Sequence, residues 1–498
     1  MDFETVIGLE VHAQLLTKSK MFCRCSADYA SAPPNTHVCP VCLGMPGVLP
    51  AINRQAVEYT IMTALALNCT ISDYTKFDRK NYPYPDLMKG YQISQYDAPL
   101  GRGGWLTIEV NGEKKKIGII RVHLEEDVAK LLHRTSPDGE VYSLVDVNRS
   151  GVPLMEIVGE PDLRSPEEAR QYLIKLRSIL QYLGVSTGNM EEGSFRCDAN
   201  ISIRPKGSSN SLAKVEVKNM NSFKAVYQAM DYEAKRQMKV AAEGRKLIQE
   251  TRGWVEAKGK TVPQRTKEYA HDYRYFPEPD LPPLIITREW VEKIRAKLPE
   301  LPEARRDRFI AEYGLPVYDA KLLTSSKAMA DYEEEIINVA ELHDLPVPER
   351  AKLGSNWLLG EVSRIMNANY ITMEEYQKRV SPEKLAQLIA YNTRAIINTA
   401  TAKSVHEEMF KTGKTALDII TQRGLSQISD IQKLEEVVTE VITANTQAVA
   451  DFKSGKEQAL KFLVGQVMKA TKGRANPAVA NEVLKKKLAE GSNPTGKE

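Results

Sequence analysis

The 498-residue chain carries 68 Lys+Arg against 65 Asp+Glu and is 42% hydrophobic, the composition of a water-soluble globular protein. That length exceeds what one core accommodates and implies two to four domains, while a net charge of +3 does not by itself imply a nucleic-acid partner. No window approaches the roughly 18–20 apolar residues of a membrane helix, and the acidic start Met1-Asp2-Phe3-Glu4 resembles neither a signal nor a transit peptide, so a cytoplasmic location is expected.

In chain order, Ile7 to Leu15 alternates as a strand, with Ile7, Leu9, Val11 and Ala13 on one face and Glu10, His12 and Gln14 on the other. Cys23, Cys25, Cys39 and Cys42 follow as Cys-x-Cys and Cys-x-x-Cys, thirteen residues apart. In a reduced compartment this spacing reads as a closed, structural tetrahedral Zn²⁺ site before it reads as disulfides, the alternative being a thiol cluster without metal. Cys69 sits in an apolar helical stretch and is expected to be buried. Gly101-Arg102-Gly103-Gly104 suggests a hairpin turn. Strands ending in Glu125-Glu126-Asp127 and running through Leu154-Met155-Glu156-Ile157-Val158 come next, then a helix from Ser165 to about Leu183 with Ser165 as N-cap and Pro166 in its first turn. Arg196 to Arg204 and Lys214 to Lys218 again alternate polar with apolar. Beyond Pro277, Pro279, Pro282 and Pro283 the pattern turns helical, in Pro302–Tyr313, Ser326–Val339 and Pro382–Tyr391 among others. The C-terminal stretch Asp451–Leu488 holds nine Lys/Arg against three Asp/Glu, and Gly491–Glu498 has the composition of a disordered tail.

The outward faces of these strands are rich in carboxylate, imidazole, Arg and Lys. Glu156, flanked by apolar residues, needs a partner if it is buried. Together they suit a divalent cation and phosphoryl transfer on an antiparallel sheet, the alternative being an ordinary wet face. Two aromatic–charged loops, Lys76 to Asp86 and Asp272 to Asp280, either stack on nucleobases or pack over a sheet edge. Thr412-Gly413-Lys414-Thr415 lacks the leading Gly and preceding strand of a P-loop and reads as a helix end followed by a new helix start. No Gly-x-Ser-x-Gly elbow or Ser/Cys nucleophile arrangement is present, so covalent acyl-enzyme chemistry is not expected.

Taken as an ordered set, Val6-Ile7-Gly8-Leu9-Glu10-Val11-His12, Lys76-Phe77-Asp78-Arg79-Lys80-Asn81-Tyr82, Tyr91-Gln92-Ile93-Ser94-Gln95 and Met190-Glu191-Glu192-Gly193-Ser194 carry a family resemblance. It continues through Arg196-Cys197-Asp198-Ala199-Asn200, the 272–280 loop and Lys472-Gly473-Arg474-Ala475-Asn476-Pro477. The chain thereby resembles the B subunits of bacterial Asp/Glu-tRNA amidotransferases (GatB) over nearly its whole length. The resemblance implies an α+β protein in three parts: a β-rich cradle similar to glutamine synthetase over 1–293, a helical domain over 294–408, and a helical, YqeY-like tRNA-binding tail over 409–498. It implies ATP- and Mg²⁺-dependent amidation of Glu-tRNA(Gln) and/or Asp-tRNA(Asn), with ammonia from an amidase (A) subunit and a small (C) subunit completing a heterotrimer. No inserted synthetase-like domain of the archaeal Glu-specific relative is apparent. Carried onto this chain, the Mg²⁺ ligands would be His12, Glu126 and Glu156, with Glu10 and Glu125 beside them. Strand parity separates Glu125 from Glu126 and leaves their roles open. Lys80, Lys89 and Asp198 match positions lining the ammonia route, and Lys469, Lys472 and Arg474 become tRNA-phosphate contacts. The four cysteines occur in only some family members, so zinc rests on their spacing. A different class of function, a non-catalytic zinc-containing tRNA-binding adaptor, is the alternative.

Overall fold

A computed structural model describes residues 2–266, 273–425, 431–471, 473, 475 and 477–490. Asp272, Lys472, Arg474 and the 491–498 tail lie outside the described residues. The chain divides into two compact units, Met1–Pro302 and Glu303–Glu498.

In the first unit nine strands, among the described residues, form the principal sheet. They are β1 (Phe3–Gln14), β2 (Thr70–Ile71), β3 (Gly101–Val110), β4 (Glu113–Glu126), β5 (Pro153–Gly159), β6 (Phe195–Pro205), β7 (Val215–Met220), β8 (Glu250–Val255) and β9 (Lys260–Thr266). Their order is β9-β8-β7-β6-β1-β5-β4-β3-β2. The sheet is mixed rather than wholly antiparallel, because β7 and β8 run parallel. Parallel neighbours need a long crossover, and helix α3 (Phe223–Ala242) supplies it. This 20-residue helix joins α1 (Arg54–Ala66) and α2 (Pro166–Tyr182). Ile7, Leu9, Val11 and Ala13 of β1 enter one core with buried residues of all three helices, as the alternation predicts. Ser165 caps α2 by accepting from the Glu168 amide, with Pro166 in the first turn.

The glycines at 101–104 do not form a turn. They lie inside β3, where a Cβ on Gly101 would come within 2.7 Å of Ala64 Cβ and one on Gly104 would strike Leu67 O and meet Cys69 N at 3.0 Å. Gly101 and Gly104 let the strand approach the end of α1, and Cys69 is buried against it. The turn comes ten residues later at Asn111-Gly112, both with positive φ (54° and 82°), the geometry of a two-residue hairpin loop.

The second unit is helical and carries two apolar clusters, one around Phe309, Tyr332, Trp357 and Tyr376, the other around Leu434, Val438, Leu463 and Leu484. The helices expected at 302–313, 326–339 and 382–391 form at Pro302–Tyr313, Lys327–Asn338 and Pro382–Thr393. Gly413 ends one helix in the left-handed region and Thr415 opens the next with a capping box, so the P-loop-like string is a helix junction. No described helix is long and apolar enough to cross a membrane.

His406 is fully buried in this unit, 2.6 Å from the Tyr376 hydroxyl, and burial lowers its pKa to about 4. A group depressed below its unfolded value near 6.5 withdraws stability as pH falls from 6.5 towards 4, here about 3 kcal/mol. Hydrogen exchange in the helix Thr399–Thr412 should therefore accelerate over that interval in the native chain. His406→Gln should abolish that pH dependence, and its persistence in the variant would assign the loss to other groups.

Candidate active site

The helices cover one face of the principal sheet; the chemistry lies on the other. Register places Arg196 of β6 opposite His12 of β1, His12 opposite Glu156 of β5, and Glu156 opposite His123 of β4. Period-two alternation turns all four to the same face, so one cross-strand row reads Arg196–His12–Glu156–His123. Glu125, two residues beyond His123, joins from the adjacent row. His12 Nε2 lies 3.6 Å from both Glu125 Oε1 and Glu156 Oε2. His123 Nε2 lies 3.1 Å from Glu156 Oε2, with Arg121 3.9 Å from the other oxygen of that carboxylate. The buried acid therefore has its partners, two imidazoles and a guanidinium. Burial opposes a charged His12, but the hydrogen bond to Glu156 and the Glu156 and Glu125 charges outweigh it and raise its pKa to about 9. Despite burial, His123 and His12 hold Glu156 well below the usual carboxylate range.

His12, Glu125 and Glu156 each offer a ligand atom, and the three atoms lie within 4.8 Å of one another. An imidazole and two carboxylates at that spacing suit a divalent cation of the Mg²⁺ or Mn²⁺ kind. The anticipated set of His12, Glu126 and Glu156 is not brought together. One residue on from Glu125, Glu126 projects to the opposite side of β4, where it pairs with Lys89 and accepts from the Ile93 amide at 3.0 Å. The pair that the sequence left open is separated by pleat.

Glu10 accepts from Asn200 at 2.7 Å, and Asp198 pairs with Lys218, which also reaches Glu216 at 3.2 Å. Buried Asp127 gathers Gln14 at 2.7 Å and Arg196 at 2.9 Å. Burial pushes its pKa up, but Arg196, Arg149 and the Gln14 amide outweigh that and keep it low. The two aromatic loops pack on each other. Strand Asp78–Asn81 pairs with Phe276–Pro277, and Arg79 forks onto Glu278 at 2.7 Å twice. Lys80 Nζ sits 4.9 Å from the Tyr273 ring centroid, and Tyr275 stacks on Tyr96 at 4.2 Å. Burial first, then the Glu125 and Glu156 charges, raise the Tyr275 hydroxyl. Sequence reasoning assigned no role to His123 or Arg121, and it reached Tyr275 only as part of the 272–280 loop, left open between base stacking and packing over a sheet edge. The strand parity that selected His12 also selects His123.

Cys23, Cys25, Cys39 and Cys42 converge with all four sulfurs within 4.8 Å of one another. Cys39 and Cys42 Sγ are 3.8 Å apart, the edge of a tetrahedron with Zn–S bonds of about 2.3 Å. The Cys39 amide donates to Cys42 Sγ at 3.1 Å. A hydrogen bond from Cys23 is the main cause that lowers the Cys42 thiol to about 5. The donor set fits Zn²⁺.

Residues 5–292 match the GatB/GatE catalytic domain, and residues 346–488 match the GatB domain. The chain belongs to the GatB family. It is 61% identical, over 98% of its length and 99% of the relative's, to the B subunit of the aspartyl/glutamyl-tRNA(Asn/Gln) amidotransferase of Dehalococcoides mccartyi. The proteins of that name from Thermoanaerobacter pseudethanolicus and Carboxydothermus hydrogenoformans are 56% and 53% identical, each over 98% of this chain and 100% and 99% of theirs. In this GatB-family chain the first match spans every residue of the cross-strand row and the cysteine cluster. The second runs across residue 409 to the basic end, where Lys469 is exposed on the helix Glu457–Ala470.

Proposed function

We propose that this chain is the carboxylate-activating, tRNA-holding subunit of a cytoplasmic heterotrimer with amidase (A) and small (C) subunits. It would convert Glu-tRNA(Gln) and/or Asp-tRNA(Asn) to Gln-tRNA(Gln) or Asn-tRNA(Asn) with hydrolysis of ATP to ADP and phosphate. The observation that carries this reading is the cluster of His12, Glu125 and Glu156 on the sheet face turned away from the helices, with Arg121 and Arg196 at its margins. An oxygen of the aminoacyl side-chain carboxylate attacks the γ-phosphorus of ATP, the bond to ADP breaks, and an acyl phosphate forms. Ammonia attacks the acyl carbon, the C–O bond to phosphate breaks, and the nitrogen loses a proton to give the amide. Mg²⁺ held by His12, Glu125 and Glu156 would supply charge neutralisation at the phosphate oxygens. Arg121 and Arg196 stabilise charge on the transferring group, and Glu10 holds Asn200 by accepting its amide. Lys80, Lys89 and Asp198 line the approach of ammonia from the partner subunit. Zn²⁺ in the four-cysteine site is structural, and Lys469, with Lys472 and Arg474, contacts tRNA phosphates.

Purified with its partner subunits and given ATP and Mg²⁺, the chain should release ADP only when Glu-tRNA or Asp-tRNA is added, in step with amide formation. Bound tRNA without tRNA-stimulated ADP would favour the zinc-containing adaptor instead.

A further inference from the structure

We infer that the cysteine loop is a positioning element for Lys89, acting through Gly44; this rests on the reading that Lys89 borders the ammonia approach. Gly44 lies two residues beyond Cys42 and has φ +67°, a left-handed conformation suited to glycine. Its backbone is held by the Cys39–Cys42 turn, where the Gly44 amide donates to Val41 O and the Met45 amide to Pro40 O, both at 3.0 Å. A Cβ placed on Gly44 would run into Cγ of Lys89 and meet its Cα at 3.1 Å. The loop therefore lies directly against the stem of Lys89, whose Nζ pairs with Glu126. The same components, Phe22, Cys23, Cys42, Gly44, Lys89 and Glu126, line one cavity of about 220 Å³.

A second connection runs in parallel. The amide of fully buried Lys20 donates to Cys25 O at 2.9 Å, and its Nζ donates to His37 O at 2.8 Å and Val147 O at 3.3 Å. The Met21 amide then donates to Gly151 O at 2.6 Å, and a Cβ on Gly151 would lie between the Lys20 stem at 3.5 Å and Glu126 Oε2 at 3.8 Å. Lys89 thus lies against backbone anchored at the cysteines, and Glu126 lines the same cavity as Gly151, to which that backbone is bonded. Fixing the four sulfurs on one ion fixes the wall against which Lys89 lies.

The test labels lysines of the assembled complex with an N-hydroxysuccinimidyl acetate and reads each site by mass spectrometry, alongside zinc content and amidation from glutamine or from ammonium chloride. Gly44→Ala should retain zinc, raise Lys89 acylation about tenfold relative to Lys80, and lower glutamine-supported amidation by a similar factor, the scale of one lost partly buried pair. Ammonium-supported amidation should fall less, which a general loss of structure would not produce. Removing zinc from the native complex with a chelator should raise Lys89 labelling, and returning zinc should reverse it. Unchanged Lys89 labelling, either in Gly44→Ala or on zinc removal, would overturn the inference. If the native complex amidates with neither donor, the reading of its function fails, while the labelling still decides whether the loop holds Lys89.

Discussion

Glu125→Gln should lower amidation of Glu-tRNA or Asp-tRNA by on the order of 10³-fold, the scale for removing a group that stabilises charge in the transition state, while glutamine hydrolysis by the partner subunit persists. Glu126→Gln should cost roughly tenfold, the scale for support one step removed from the chemistry. The contrast follows from pleat: Glu125 lies 3.6 Å from His12 and shares its face with Glu156, whereas Glu126 is held by Lys89 and the Ile93 amide on the other side of β4. The carboxylate-to-amide change keeps size and shape, so either side chain still fits its site. Single-turnover amide formation on labelled aminoacyl-tRNA separates the two variants. An inactive Glu126→Gln beside an active Glu125→Gln would move the site to the far side of the strand and sink the assignment of the cross-strand row.

The sequence displayed one half of this site and concealed the other. Alternation is a local signal, so β1 announced that Glu10 and His12 share a face, and Glu156 announced that it needed a partner. Which residue answers a buried acid depends on register between strands far apart in the chain. His12 and Glu156 are brought together by a pairing across about 140 positions, and His123 by the next strand over. For the same reason the Glu125–Glu126 choice stayed open: parity separates the two residues, but which face of β4 meets the row is set by neighbours. Helix α2 was legible because its cap, first-turn proline and stripe are all local, whereas Gly101–Gly104 misled because glycines serving close approach carry the same letters as glycines serving a turn. The parallel β7–β8 pair was hidden in the same way, since strand direction is decided by the return path through α3.

That return path depends on a buried ionic cluster, and it yields the largest stability effect expected. Glu233 of α3 is fully buried and meets Arg236 at 2.5 Å, Arg252 of β8 at 3.6 Å and the Thr261 hydroxyl of β9 at 2.8 Å. Arg252 also binds Glu250 at 2.9 Å and Thr261 O at 3.0 Å. Arg252→Met should destabilise the first unit by about 3–5 kcal/mol, because it strands carboxylates in the interior; adding Glu233→Gln should recover part of that loss by removing one of the charges left behind. Trp254, buried on β8, reports the transition in denaturant titrations. The effect should reach the polar face as well. Thr251 donates to Glu216 at 2.8 Å, Glu216 holds Lys218, and Lys218 pairs with Asp198, so loosening β8 removes the lateral support of β7. A single variant no less stable than the parent would show that the cluster contributes no net stability to this edge of the sheet. A double variant no more stable than the single would show that the cost arises from lost packing and not from uncompensated charge.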